Sequence, residues 1–190
     1  FLVIPQGVTS IGDFAFQNQD KLKVTGNIKA HKIGDRSFEY CANLNTNIEI
    51  EPDDKVAGSI GDYTFYNCIN FAGSLTMKNP APSEDTTNPS LSSIGEASFQ
   101  NTGLRKINLP HMEIIGPNAF QNCIQLEADS KDLEIDTISG SAFKDCTSLV
   151  LSSITSKSIK SNAFENCTSL DQIKIPSSVK SIDYCAFCYC

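Results

Sequence analysis

Ile159-Lys160-Ser161-Asn162-Ala163-Phe164-Glu165-Asn166-Cys167 decides the fold, because close copies of this stretch occur eight times along the 190-residue chain. The copies start at Ile11 (IGDFAF), Ile33 (IGDRSF), Ile60 (IGDYTF), Ile94 (IGEASF), Ile115 (IGPNAF), Ile138 (ISGSAF), Ile159 (IKSNAF) and Ile182 (IDYCAF). Each keeps an Ile, a small residue four places on, and a Phe at the fifth. Phe16, Phe38, Phe65, Phe99, Phe120, Phe143, Phe164 and Phe187 are therefore equivalent. Successive Ile residues lie 22, 27, 34, 21, 23, 21 and 23 apart, a period that belongs to stacked coils burying a core between neighbours.

Within a repeat, Leu170-Asp171-Gln172-Ile173-Lys174-Ile175 ends in the apolar-polar alternation of a short strand with one buried face, and Pro176 stops it. Leu104 to Leu109, Leu44 to Ile50 and, more loosely, Leu22 to Ile28 are its counterparts. Val179 and Ile182 mark a second extended stretch. The Ala-Phe turn after it has room for no more than a turn of α- or 3₁₀-helix. Stacking such coils pairs each strand with its neighbour about 4.8 Å away and lines the Phe rings up in one interior column. The expectation is a β-dominated solenoid with a parallel sheet on one face, a second extended stretch, and short helical or 3₁₀ turns.

At this point the residues carry a family resemblance. The pattern Leu170-x-x-Ile173-x-Ile175-Pro176-x-x-Val179-x-x-Ile182-x-x-x-Ala186-Phe187-x-x-Cys190 resembles the BspA-like, Treponema pallidum-type leucine-rich-repeat family over the whole chain. The resemblance implies an α/β-type leucine-rich-repeat solenoid, frequently displayed on a cell surface and linked to adhesion to host proteins or other microbes. It brings no catalytic residues with it. Worn repeats depart from the pattern: Gln19 and Thr102 replace the Cys, Phe71 replaces the Leu, and Ser139, Lys160 and Asp183 replace the Gly after Ile.

Composition is that of a folded globular chain, 40% hydrophobic and 19% charged. A net charge of −7 argues against nucleic acid and anionic membrane as partners. No apolar run is long enough to cross a bilayer. Residues 1–190 read as one solenoid segment of about eight repeats that opens and closes in mid-array, since Ile4-Pro5 aligns with Ile175-Pro176 and neither end carries a polar cap. Anchors or addresses would lie outside it.

Six of the eight cysteines, Cys41, Cys68, Cys123, Cys146, Cys167 and Cys190, share one repeat position and read as a ladder of buried thiols, with disulfides between rungs the alternative. Cys185 and Cys188 fall at variable positions; a local disulfide or contact with a following repeat suits them better than zinc, which lacks a second ligand pair. His31 and His111 occupy different repeat positions, and no phosphate loop, paired carboxylates or cofactor motif stands out. No catalysis, metal or cofactor is expected.

Two steps exceed the period. The longer contains an expected exposed insertion at 78–90, rich in Pro, Ser, Thr and acids; the shorter lies around Glu51 to Lys55. The candidate recognition face is the outward set of the first strand: Asn45, Asn47, Glu49, Arg105, Lys106, Asn108, Asp171, Gln172 and Lys174. The function that follows is non-catalytic protein recognition, with a host or microbial surface protein or another subunit as partner, in a surface or secreted adhesin. The rival is an intracellular structural or cytoskeletal scaffold using the solenoid as a spacer.

Overall fold

In a computed structural model, residues 1–53, 57–80 and 91–190 are described. They contain fourteen strands: β1 (Ser10–Ile11), β2 (Ile28–Ala30), β3 (Lys32–Ile33), β4 (Ile48–Ile50), β5 (Ser59–Ile60), β6 (Ser74–Met77), β7 (Ser92–Ile94), β8 (Lys106–Asn108), β9 (Met112–Ile115), β10 (Glu127–Ala128), β11 (Asp132–Ile138), β12 (Ser153–Thr155), β13 (Ser158–Ile159) and β14 (Ser181–Ile182). Every pairing is parallel and joins a coil to the next, as in Ile33↔Ile60 and Ile138↔Ile159. The chain is a solenoid.

The second extended stretch of each repeat proves to be a sheet in its own right. It runs in the order β1-β3-β5-β7-β9-β11-β13-β14 through all eight repeats, with β12 attached to β11. The first stretch forms a separate five-stranded sheet, β2-β4-β6-β8-β10. Its row then steps: Lys106 stands opposite Glu127, whereas Lys174 is in register with Ser153 and, through it, with Asp132. Between them Ser130 closes a local turn, its hydroxyl bonded to the Asp132 carbonyl and amide. The longer seven-residue β11 spans both rows.

The turns are not helical. Among the described residues no helix or 3₁₀ segment forms, because each turn holds two residues in the left-handed region, three and seven places after the Ile; examples are Asn118 (55°) and Asn122 (61°), or Asn162 (61°) and Asn166 (60°). Helices need an unbroken run near φ −60°. Asn is frequent there because its short amide tolerates positive φ. The turn backbones instead make a third ladder, coil to coil: Phe99 N–H donates to the Ala119 carbonyl (2.7 Å), Phe120 to Ala142 (2.8 Å) and Phe143 to Ala163 (2.8 Å).

Coils bound on three sides come close, and two columns answer that. From Gly34 through Gly61 and Gly95 to Gly116, the Gly after the Ile lies against the coil before it. A methyl on Gly61 would meet the Asp35 carboxylate at 2.2 Å and the Asp35 backbone nitrogen at 2.7 Å, and Gly34 and Gly95 are equally confined. The Phe rings form the expected interior stack, with centroids 5.0–5.4 Å apart from Phe16 to Phe187 and planes within 21° of parallel. Phe38 to Phe164 are fully buried, and Phe71 wedges beside Phe65 and Phe99.

The insertion expected at 78–90 lies outside the described residues from 81 onward. At its base Asn79 bridges Ser92 N–H (3.0 Å) and the His111 carbonyl (2.7 Å), and Lys78 pairs with Glu51 (2.7 Å) at the foot of the shorter insertion on the preceding coil.

Phe120→Ala and Phe164→Ala will each lose about 3–5 kcal/mol in denaturant melts, the usual loss for a buried ring. Gly61→Ala will lose about 1–3 kcal/mol by forcing two coils apart. Gly12→Ala, where nothing lies within 4 Å, will be neutral or gain a few tenths of a kcal/mol.

Candidate functional site

The five-stranded sheet turns Ile28, Ile48, Ile50, Leu75 and Ile107 inward, which leaves the intervening side chains in two outward rows. One row is Asn27, Asn47, Ser74, Lys106 and Glu127; the other contains Lys29, Glu49, Thr76 and Asn108. Asn45, Asn47, Glu49, Lys106 and Asn108 thus share one ordered surface, with Arg105 exposed just before β8. Asp171, Gln172 and Lys174 are also exposed, but they stand beyond the step at Ser130. The nine residues do not form one continuous face. Repeats one to five carry one part of it and the last complete repeat carries the other.

Several of these side chains belong to the frame. The Asn47 side-chain carbonyl accepts from Ser74 N–H (3.0 Å) and Ser74 O–H (3.1 Å), and its amide donates to Asn27 (3.3 Å). Asn45 accepts from Ala72 N–H at 3.1 Å, so both Asn residues bind the edge of the following coil. Glu49 takes a hydrogen bond and ion pair from Lys29 (2.7 Å) and a second bond from Asn27. The Lys29 contact holds the Glu49 carboxyl below its ordinary range, and the same contact raises the Lys29 ammonium. Lys106 reaches Asp129 more loosely, at 3.4 Å. Arg105, Asn108, Asp171, Gln172 and Lys174 are the members that project freely to solvent.

A frame element that sequence reasoning missed is the Asp of Ile-Gly-Asp. Asp13 accepts the backbone N–H of Asp35 (2.9 Å), Asp35 that of Asp62 (2.9 Å), and Asp62 that of Glu96 (2.7 Å). The ladder stops where Pro117 has no N–H to offer. The recurrence of Asp after Ile-Gly was the available signal. The histidines stay apart: His31 is half-buried, and exposed His111 contacts Asp136 at 3.0 Å. Lys157 and His111 together hold the Asp136 carboxyl low, with the Lys157 hydrogen bond the larger cause.

The thiols form the expected ladder. Each donates to the Phe carbonyl of an earlier coil, as Cys68 to Phe38 (3.0 Å), Cys123 to Phe99 (3.0 Å) and Cys167 to Phe143 (3.0 Å). Burial pushes Cys41 up to about 11 and Cys123 and Cys167 up to about 12. These groups remain protonated, which withholds the thiolate that nucleophilic attack and metal ligation require. Cys185 and Cys188 are joined by a disulfide, the local pairing open at the sequence level, and Cys190 is free. Among the described residues no group of three or more His, Cys, Asp or Glu is placed to hold a metal ion.

The family model for the BspA type leucine-rich-repeat region matches in six copies over residues 1–83 and 74–190. Two solved structures are similar. A leucine-rich repeat protein from Bacteroides ovatus is 21% identical with a TM-score of 0.44, covering 99% of this chain and 63% of its own. One from Eubacterium ventriosum is 18% identical with a TM-score of 0.33, covering 98% of this chain and 82% of its own. The chain therefore spans less than two thirds of the first structure's length. No curated protein matches it.

Asn47→Ala will cost about 1 kcal/mol because it strips acceptors from the next coil, while Asn108→Ala will change stability by less than about 0.5 kcal/mol; paired urea melts separate frame from free surface. Unfolded thiols ionise from about pH 8.5, whereas the folded ones resist to about 11 or 12. Their raised folded values leave stability intact below about pH 8.5 and remove it as pH climbs through that window. Urea midpoints will accordingly fall between about pH 8.5 and 10.5, and fall less in Cys123→Ala/Cys167→Ala.

Proposed function

The chain belongs to the BspA-type leucine-rich-repeat family, and from that premise we propose that it is a non-catalytic protein-recognition module of a surface or secreted adhesin. The family's repeats supply a protein-interaction scaffold. The observation that carries the reading is the division of labour on the five-stranded sheet: Asn45, Asn47 and Glu49 lock neighbouring coils together, which leaves Arg105 and Asn108 free on a rigid support. Rigid presentation limits the entropy lost on binding. The held-in thiols, kept protonated by burial, give nucleophilic catalysis no support. Among those residues no helix is long and apolar enough to cross a membrane.

A second reading, an intracellular scaffold, draws on the free thiols of the ladder, which suit a reducing compartment. The Cys185–Cys188 disulfide favours the surface reading instead. Mass spectrometry of protein from its native source, alkylated without reductant, decides between them. An intact Cys185–Cys188 bond supports the adhesin; eight free thiols support the scaffold.

Recognition itself is checked by biolayer interferometry against purified extracellular-matrix, serum and microbial surface proteins. At least one should bind saturably, and Arg105→Ser/Asn108→Ser/Lys174→Ser should weaken it about tenfold or more. Equal binding by the variant would remove this face from the function.

A further inference from the structure

The turn face of the first four repeats carries side chains that the coil does not require. Two positions in every turn have positive φ, where a bulky L residue is strained. Repeats five to seven fill them with Asn118, Asn122, Ser141, Asp145, Asn162 and Asn166. The first three repeats place Asn18 and Asn67 at two of these positions, but Phe14 (58°), Arg36 (52°), Tyr40 (59°) and Tyr63 (54°) at the others. None of these enters the core; Phe14 is 55% and Tyr40 46% exposed. Arg36, Tyr40 and Tyr63 form a surface cluster with Tyr66, and Phe14 holds the repeat position of Arg36 one coil earlier. Tyr40 meets Tyr66 edge-on at 5.6 Å, Tyr66 meets Tyr63 at 5.6 Å, and the Arg36 guanidinium lies 4.4 Å over the Tyr63 ring. Bulky residues also take the positive-φ positions in the last turn, at Cys185 (50°) and Tyr189 (61°), so it is their clustering over three adjacent coils that singles out this face.

Charge is distributed the same way. Across the first four turns Asp13, Asp35, Glu39, Asp62 and Glu96 stand against the single cation Arg36, which already pairs with buried Glu39, whereas in the following turns Lys144 and Lys160 stand against Asp145, Glu165 and Asp183. Beside the aromatic cluster, Asp35, Asp62 and Glu96 line an open groove of about 450 Å³ floored by Gly61, Gly95 and Gly116, where Lys32 is the one cation against three carboxylates.

We propose that this aromatic and acidic turn face docks an extended, positively charged polypeptide segment, with Arg or Lys side chains laid over the exposed rings of Phe14 and Tyr40 and their charges met by Asp35, Asp62 and Glu96. Arg36 over Tyr63 shows the contact already made within the chain. Tyr clusters of this kind anchor interfaces, and an acidic partner would bring like charges together. The proposal rests on the recognition reading and assigns the ligand to a face other than the strand rows.

Fluorescence polarisation with a labelled (Arg-Ser)6 peptide, and (Glu-Ser)6 as its counterpart, tests it at physiological ionic strength. The Arg peptide should bind saturably and the Glu peptide should not. Phe14→Asn/Tyr40→Asn removes two rings while installing the residue that positive φ prefers; affinity should drop about tenfold with Tm unchanged or higher. Asp13→Asn/Asp35→Asn/Asp62→Asn keeps a carbonyl acceptor for each ladder bond and should weaken binding comparably. Absence of Arg-peptide binding overturns the proposal, as does unchanged affinity in the Phe14/Tyr40 variant, which would reduce the effect to diffuse acidity. Binding of an uncharged oligosaccharide that the Arg peptide cannot displace, yet that the same variant abolishes, overturns it in favour of a sugar site. Should the peptide fail while the strand-face variant still loses a protein ligand, this proposal alone falls; failure of both sinks the recognition reading.

Discussion

Backbone hydrogen bonding between each coil and the next, at about 4.8 Å, is the constraint on which everything else depends. Three ladders carry it: the long sheet, the five-stranded sheet, and the turn ladder through Phe99, Phe120 and Phe143. Once a coil is bound to its equal on three sides, each sequence position becomes a column of like residues at fixed spacing. Phe rings must then stack at about 5 Å, because the backbones that bear them leave no other distance. Gly must follow Ile33, Ile60, Ile94 and Ile115, because the space a Cβ would need holds the previous coil's backbone.

The same spacing explains the polar columns. Asp after Ile-Gly accepts the next coil's N–H, and the Cys thiol reaches a Phe carbonyl one coil away, so groups that suggest chemistry in an isolated sequence are occupied in holding coils together. Burial then keeps the thiols protonated. In a solenoid, side chains that the frame does not use are the informative ones. Arg105, Asn108 and Lys174 are such residues on the strand side, and Phe14 and Tyr40 are their counterparts on the turn side, where they stand against backbone preference. Recognition by a repeat protein is carried by departures of this kind from the column rule.

By itself the sequence determined the repeat, the parallel stacking, the interior Phe column and the shared place of six cysteines, because eight copies of Ile-x-x-x-small-Phe leave each position one environment. Tertiary structure alone decided the rest. The stretch around Val179 and Ile182, legible only as extended, became the sheet that runs through every repeat; the better-patterned strand broke at Ser130, since its segments differ in length and their register is set between residues distant in sequence. The turns, expected to be helical, were settled by paired positive-φ residues that no apolar periodicity encodes. Asn45, Asn47 and Glu49 could not be told from Asn108 and Lys174, because what separates a frame residue from a free one is the partner on the adjacent coil, 20 to 27 residues away in the chain.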